Sequence, residues 1–315
     1  MYTAIKPGWS KPATILFASQ IPVNEKAFDF ALAQAVEFGA KLILFHAYDT
    51  MVVTESDSSG IRYYDSDAVT RIELEHLEPL SLRVREAGIE CETVVRRGLA
   101  AEQIIAFLGE REIDRIVMGT HSPGPIGKLL VGSVAEVVLR SAKAPVCIIG
   151  PAVVNGRYRN FATRTILCAV SLHESSHMVV RFAAELAAEQ NARLILQHVI
   201  RPQDQPRMSV DQINAELLSM IPPEREGRIT VQTIIVPGEP TEELLYQSLS
   251  EQADLLVLGA QGASAFAAIA RQGVVYKLLA HSHCPVLTLS PIVLAAGGAK
   301  NQEVHSAEVF LAGVF

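Results

Sequence analysis

The stretch of this chain best suited to chemistry is Gly119-Thr120-His121-Ser122-Pro123-Gly124-Pro125-Ile126-Gly127-Lys128-Leu129-Leu130-Val131-Gly132-Ser133. It follows the apolar run Ile116-Val117-Met118 and leads into Ser133–Arg140, whose spacing is helical. Small residues let the backbone approach a ligand closely. A Gly132-Ser133 pair where a helix begins turns free N–H groups and the positive helix end toward an anion. The Ser133 hydroxyl can cap that helix or donate to a phosphate oxygen, and Lys128 and His121 add positive charge. The chemistry these residue types suit is phosphate binding. The loop is not a Walker loop, since no G-K-[ST] stands at the required spacing, and it is not G-x-G-x-x-G. On its own, such a loop also reads as a plain connection.

The other reactive residue types point elsewhere. His46 and His198 hold equivalent places near the ends of apolar runs, and His281 and His283 flank Ser282. None has partners at metal-ligand spacing, so they are read as structural. Ser-His-Asp catalysis lacks a G-x-S-x-G elbow. Cys91, Cys147, Cys168 and Cys284 form no C-x-x-C pair, and all four sit in strand-like apolar runs. They are expected to be buried, reduced thiols, which fits a cytoplasmic protein. Glu73, Glu75, Glu78 and Glu86 read as a solvated helix face, and Trp9 is expected to pack at a domain edge.

The elements that must position the loop occur twice. Adding 140 to residue numbers takes Gly98 to Gly238, Asp114 to Asp254, Gly119 to Gly259, Leu139 to Leu279 and Pro145-Val146 to Pro285-Val286. Nearer the start, Ile15-Leu16 answers Ile166-Leu167 at a shift of 151, and Ala40, Leu42, Leu44 and His46 answer Ala192, Leu194, Leu196 and His198 at 152. The fall from 152 to 140 implies a 12-residue insertion in the first half, placed in the polar stretch Asp49–Asp67. Each half alternates short apolar runs with helical spacing in the order β-α-β-α-β-α-β-α-β. In the first, Thr14–Ser19, Leu42–Ala47, Cys91–Val95, Ile116–Met118 and Val146–Ile149 are the strands. Runs apolar throughout are buried on both faces, so the fold class is α/β, two tandem doubly wound parallel-sheet domains. Such sheets bind ligands beyond the carboxyl ends of their strands, where the strand order switches. Domain boundaries of 1–151 and 160–291 follow, with 292–315 as a tail that has no counterpart after Pro291.

The length of 315 residues, 49% hydrophobic and 19% charged, excludes a disordered chain. A net charge of −7 argues against bulk nucleic-acid binding. No apolar run reaches the ~20 residues of a membrane span, and no signal peptide is read at the start.

With these residues in view, the sequence resembles the universal stress protein family in its tandem two-domain form. The family motif, G-x-x-G, nine residues, then G-[ST], falls on Gly119, Ser122, Gly132 and Ser133, with Ser122 replacing the second glycine. The resemblance extends to about Pro291. It implies a Rossmann-like, adenine nucleotide alpha hydrolase-like fold and an ATP site in the first half, with Mg²⁺ accompanying the nucleotide. The motif loop would hold ribose and phosphates through Gly119, Thr120, Ser122, Lys128, Gly132, Ser133 and Val134. Gln20, at the family's usual Asp position, would lie near the base with Ala47 and Met118. In the second half Ser171 takes the Asp position and Gln272-Gly273 replaces the G-[ST] pair, so that half is read as a scaffold without nucleotide. The family also pairs domains through their last strands, which here implies pairing within the chain and leaves a homodimer open. The first reading is a stress-response module holding an adenine nucleotide. A nucleotide-free interaction scaffold is the second, and a slow ATP hydrolase, for which no general base can be named, is the third.

Overall fold

The computed structural model describes residues 6–49, 66–120, 132–154, 163–173, 175–202, 208–259, 274–290 and 292–293. The first half comprises α1 (Pro7–Ser10), β1 (Thr14–Ser19), α2 (Glu25–Phe38), β2 (Lys41–Tyr48), α3 (Ser66–Glu86), β3 (Cys91–Arg97), α4 (Ala100–Glu110), β4 (Arg115–Gly119), α5 (Ser133–Ser141) and β5 (Val146–Ile149). The second comprises β6 (Thr165–Ala169), α6 (Ser176–Gln190), β7 (Arg193–Ile200), α7 (Val210–Ser219), β8 (Val231–Pro237), α8 (Pro240–Ser250), β9 (Leu255–Gly259), α9 (Val274–His281) and β10 (Val286–Leu289).

All ten strands form one sheet, in the order β3-β2-β1-β4-β5-β10-β9-β6-β7-β8. Every pairing is parallel except β5 with β10, which join the halves antiparallel. Two sheets expected from the sequence thus fuse, and each half's last strand covers an edge the other would expose.

The register is fixed by devices that recur in both halves. Asp114 Oδ2 accepts from the N–H groups of Ala13 and Thr14 at 3.0 and 3.1 Å, tying the start of β1 to β4. Asp254 Oδ2 does the same for Arg164 and Thr165 at 2.9 and 3.0 Å. Helices α2 and α6 both end in a left-handed cap, Gly39 at φ 62° and Asn191 at φ 49°. Alternation along each strand divides the core into two layers: Ile15 and Phe17 lie on one face of the sheet, Leu16 and Ala18 on the other.

Several expectations need correction. Trp9 is not at an edge: it is 5% exposed, within the core layer, and α1 packs on α6 of the opposite half. Cys284 lies in the turn before β10, not in a strand, and Cys91 is only half-buried. Burial raises the Cys147 thiol and lifts Cys168 to about 12, so both are held as inert thiols. Glu73 is not simply solvated: its carboxylate stands 3.6 Å from His46 Nε2 and 3.2 Å from His76 Nδ1. The repeat also runs past Pro291, because Val293 answers Val153 and both are buried in one core layer. Most of the polar stretch Asp49–Asp67 lies outside the described residues, and α3 already includes its last two positions.

Candidate functional site

Strand order reverses between β1 and β4, and the sheet opens there into a cavity of about 550 Å³. The carboxyl ends of β1, β2 and β4 and the amino ends of α2, α4 and α5 enclose it. Ala18, Phe45, Ile104 and Met118 form an apolar side, all in the same core layer. Ser19, Gln20, Asn24, Thr120 and Ser133 supply polar groups, and no described lining residue is charged.

Helix α5 gives the cavity its electrostatic character. Its N-cap is Gly132, at φ −57° and ψ 147°, with no side-chain cap. Ser133 is therefore the first helical residue and not the cap that its residue type suggests. The first intrahelical bond runs from Glu136 N–H to the Gly132 carbonyl. The N–H groups of Ser133, Val134 and Ala135 have no acceptor within the helix, and all three residues line the cavity. An anion placed there would meet converging N–H groups and the positive helix end. A Cβ built on Gly132 would meet none of the described residues within 4 Å.

The floor is held from behind. Thr120 N–H donates to the Ile149 carbonyl at 3.0 Å, and its hydroxyl turns to the same oxygen at 3.5 Å. Asn24 Nδ2 donates to the Thr120 carbonyl at 3.3 Å, while its Oδ1 caps α2 by accepting from Ala27 N–H at 3.2 Å. Gly119 must be glycine for this reason: a Cβ there would overlap the Asn24 amide. His46 Nδ1 lies 3.0 Å from the Ser19 carbonyl and ties β2 to the end of β1, as His198 does at 2.8 Å from the Val170 carbonyl.

Of the ten positions expected from the sequence, Gln20, Ala47, Met118, Gly119, Thr120, Gly132, Ser133 and Val134 line this one cavity. Ser122 and Lys128 lie outside the described residues, as do His121 and Gln272-Gly273. Sequence reasoning missed Asn24, Phe45 and Ile104. Asn24 was visible as a helix-capping residue type, but its bond to Thr120 crosses 96 positions and leaves no local signal.

The chain matches the universal stress protein family twice, over residues 13–150 and 162–290. It belongs to that family. A universal stress protein of Bacillus subtilis, YxiE, is 28% identical over 134 residues, 40% of this chain and 90% of the relative, which is the span of one repeat. The crystal structure of a universal stress protein from Archaeoglobus fulgidus shares the fold over 90% of this chain and 97% of its own, with a TM-score of 0.71 at 18% identity. A universal stress protein solved in complex with cAMP matches 41% of this chain and 97% of its own, with a TM-score of 0.34 at 25% identity. No helix among the described residues is long and apolar enough to cross a membrane.

Proposed function

We propose that the first half of this universal stress protein binds an adenine nucleotide, ATP in the first instance, and serves as a nucleotide-responsive module of stress response. The observation that carries the reading is the start of α5, which has no side-chain cap and whose first three residues line a cavity with an apolar side. A flat base suits the slot between Ala18, Phe45 and Met118, beside Ala47 and the Gln20 carboxamide, which both donates and accepts hydrogen bonds. Phosphate suits Ser133–Ala135, with Gly132 leaving room for close approach. The second half supports the reading by contrast. Gln197 stands where Phe45 does, and Val199 replaces Ala47. At the positions that answer Gly132 and Ser133 it carries Gln272 and Gly273, so the hydroxyl is lost.

The test is the nucleotide content of the purified protein after denaturation, followed by calorimetric titration with ATP, with and without Mg²⁺. One site per chain is expected. Gly132→Ala is the sharp variant, because its backbone suits alanine and the new Cβ has room. It should leave stability within about 0.5 kcal/mol and still weaken ATP binding. Ser133→Asp should weaken binding through charge. No bound nucleotide and no heat of binding would refute the site and leave the fold as a pairing scaffold. Phosphate release that persists in Gly132→Gln would come from elsewhere.

A further inference from the structure

The seam between the halves has a local two-fold axis. Val286, Leu287 and Thr288 are the repeat counterparts of Val146, Cys147 and Ile148. The observed pairs are Val286 with Ile148, Leu287 with Cys147 and Thr288 with Val146. The axis passes through the Cys147–Leu287 pair, so the same main-chain ladder would accept β5 of a second chain in place of β10. Side chains must therefore choose the partner.

Beside the seam, the carboxyl ends of α2 and α6 meet in a buried polar chain. Glu37 Oε2 accepts from Gln190 Nε2 at 2.7 Å and from Gln34 Nε2 at 3.0 Å, and Glu37 also accepts from the Thr163 backbone N–H. Gln190 Nε2 donates further to Thr163 Oγ1 at 3.2 Å. Arg115, fully buried, donates to Gln34 Oε1 and to the Trp9 carbonyl, and lies 5.2 Å over the Phe38 ring. Across the same junction Lys11 pairs with Glu189 at 3.4 Å.

The shared caps and the twin aspartates fix which residues correspond. Gly39 matches Asn191, so Phe38 matches Gln190 and Glu37 matches Glu189. Asp114 and Asp254 hold equivalent N–H pairs, so Pro12 matches Thr163. If two first halves paired, Glu37 would face a Phe38 ring in place of the Gln190 amide. It would also face Pro12, which has no N–H, in place of Thr163. A half-buried carboxylate would lose two of its donors, the kind of loss that outweighs ordinary packing gains.

We propose that the first half's pairing face admits only a second-type half, with Glu37 as the discriminating group and Gln190 and Thr163 as the features it reads. Two second halves could satisfy each other, since Glu189 would meet Gln190 and Thr163. Each such pair, however, strands two first halves. Closure within one chain is the arrangement that leaves no Glu37 unsatisfied.

The test uses the full chain and hydrogen exchange along the β5–β10 seam. Gln190→Met, close in length but without the amide, should speed exchange of the seam amides about ten-fold or more, while amides between β1 and β2 keep their protection. Gln190→Phe, which gives α6 the residue of α2, should do the same. Adding Glu37→Leu to either variant should return the seam to within about three-fold of the parent, because no carboxylate is then stranded. Unchanged seam protection in Gln190→Met would overturn the proposal. So would failure of Glu37→Leu to restore it in the methionine background, which remains informative where phenylalanine does not fit.

Discussion

Alanine at Gly119 would put a Cβ 2.6 Å from Cγ and 2.8 Å from Cβ of Asn24, and into overlap with its amide nitrogen. These are distances real Cβ atoms do not tolerate. Gly119 is paired with Ile149 of β5 and follows directly on the β1–β4 ladder, so the backbone has little room to retreat. Asn24 must swing out, giving up both its cap on Ala27 N–H and its bond to the Thr120 carbonyl. Overpacking costs about 1–3 kcal/mol and loss of the cap about 1 kcal/mol, so Gly119→Ala should destabilise by about 2–4 kcal/mol. Asn24→Gly should cost about 1–2 kcal/mol, since glycine remains an acceptable cap and the chief loss is the bond to Thr120. The double variant has no side chain at position 24 for the new Cβ to meet. It should cost about as much as Asn24→Gly alone, a coupling of about 2 kcal/mol or more. Urea unfolding of the four proteins, with equal m-values, measures this directly. Additivity within about 0.5 kcal/mol would show that Gly119 is needed for some reason other than Asn24.

Three further outcomes are expected. Asp114→Ala and Asp254→Ala should each cost about 2–4 kcal/mol in urea unfolding, because each strands two backbone N–H groups; a cost below about 0.5 kcal/mol for either would refute the shared role. Trp9→Ala should cost about 3–5 kcal/mol, since the side chain is core and not edge; a surface-sized effect would refute that placement. Burial holds the Glu37 carboxyl above its ordinary value, against the opposing pull of Gln190, Arg115 and Thr163. The folded state then keeps this proton to higher pH than the unfolded chain. Its contribution to stability is full below the ordinary glutamate value and is lost as pH rises through the raised one. Glu37→Gln removes that loss, so its stability relative to the parent should climb across this window, and a pH-independent difference would count against it.

The parts of the fold that were legible depend on short-range pattern. Continuous apolar runs gave β1 and β5 to the residue, and Gly39 marked the end of α2. The 140-residue repeat implied two α/β units because residues such as Asp114 and Asp254 recur for a structural reason, the pinning of β1 and β6. What was not legible depends on contacts across the chain. Nothing local to Trp9 shows that α6 will cover it, and nothing local to Val293 shows that it closes a core layer. Ser133 misled as a cap because residue type alone does not say whether a serine stands before the helix or within its first turn.

The motif glycines make the same point about function. A sequence motif treats Gly119 and Gly132 alike, as places where backbone must come close to a ligand. The structure separates them. Gly119 is required by the Asn24 side chain whether or not any ligand binds, so its presence says nothing about nucleotide. Gly132 sits at an ordinary helical-entrance conformation, and among the described residues nothing stands where its Cβ would be or gives a reason for glycine there. A requirement at Gly132, where binding measurements reveal one that stability measurements do not, is then assigned to the bound nucleotide. That is why a single methyl group at position 132, and not at 119, carries the weight of the nucleotide reading.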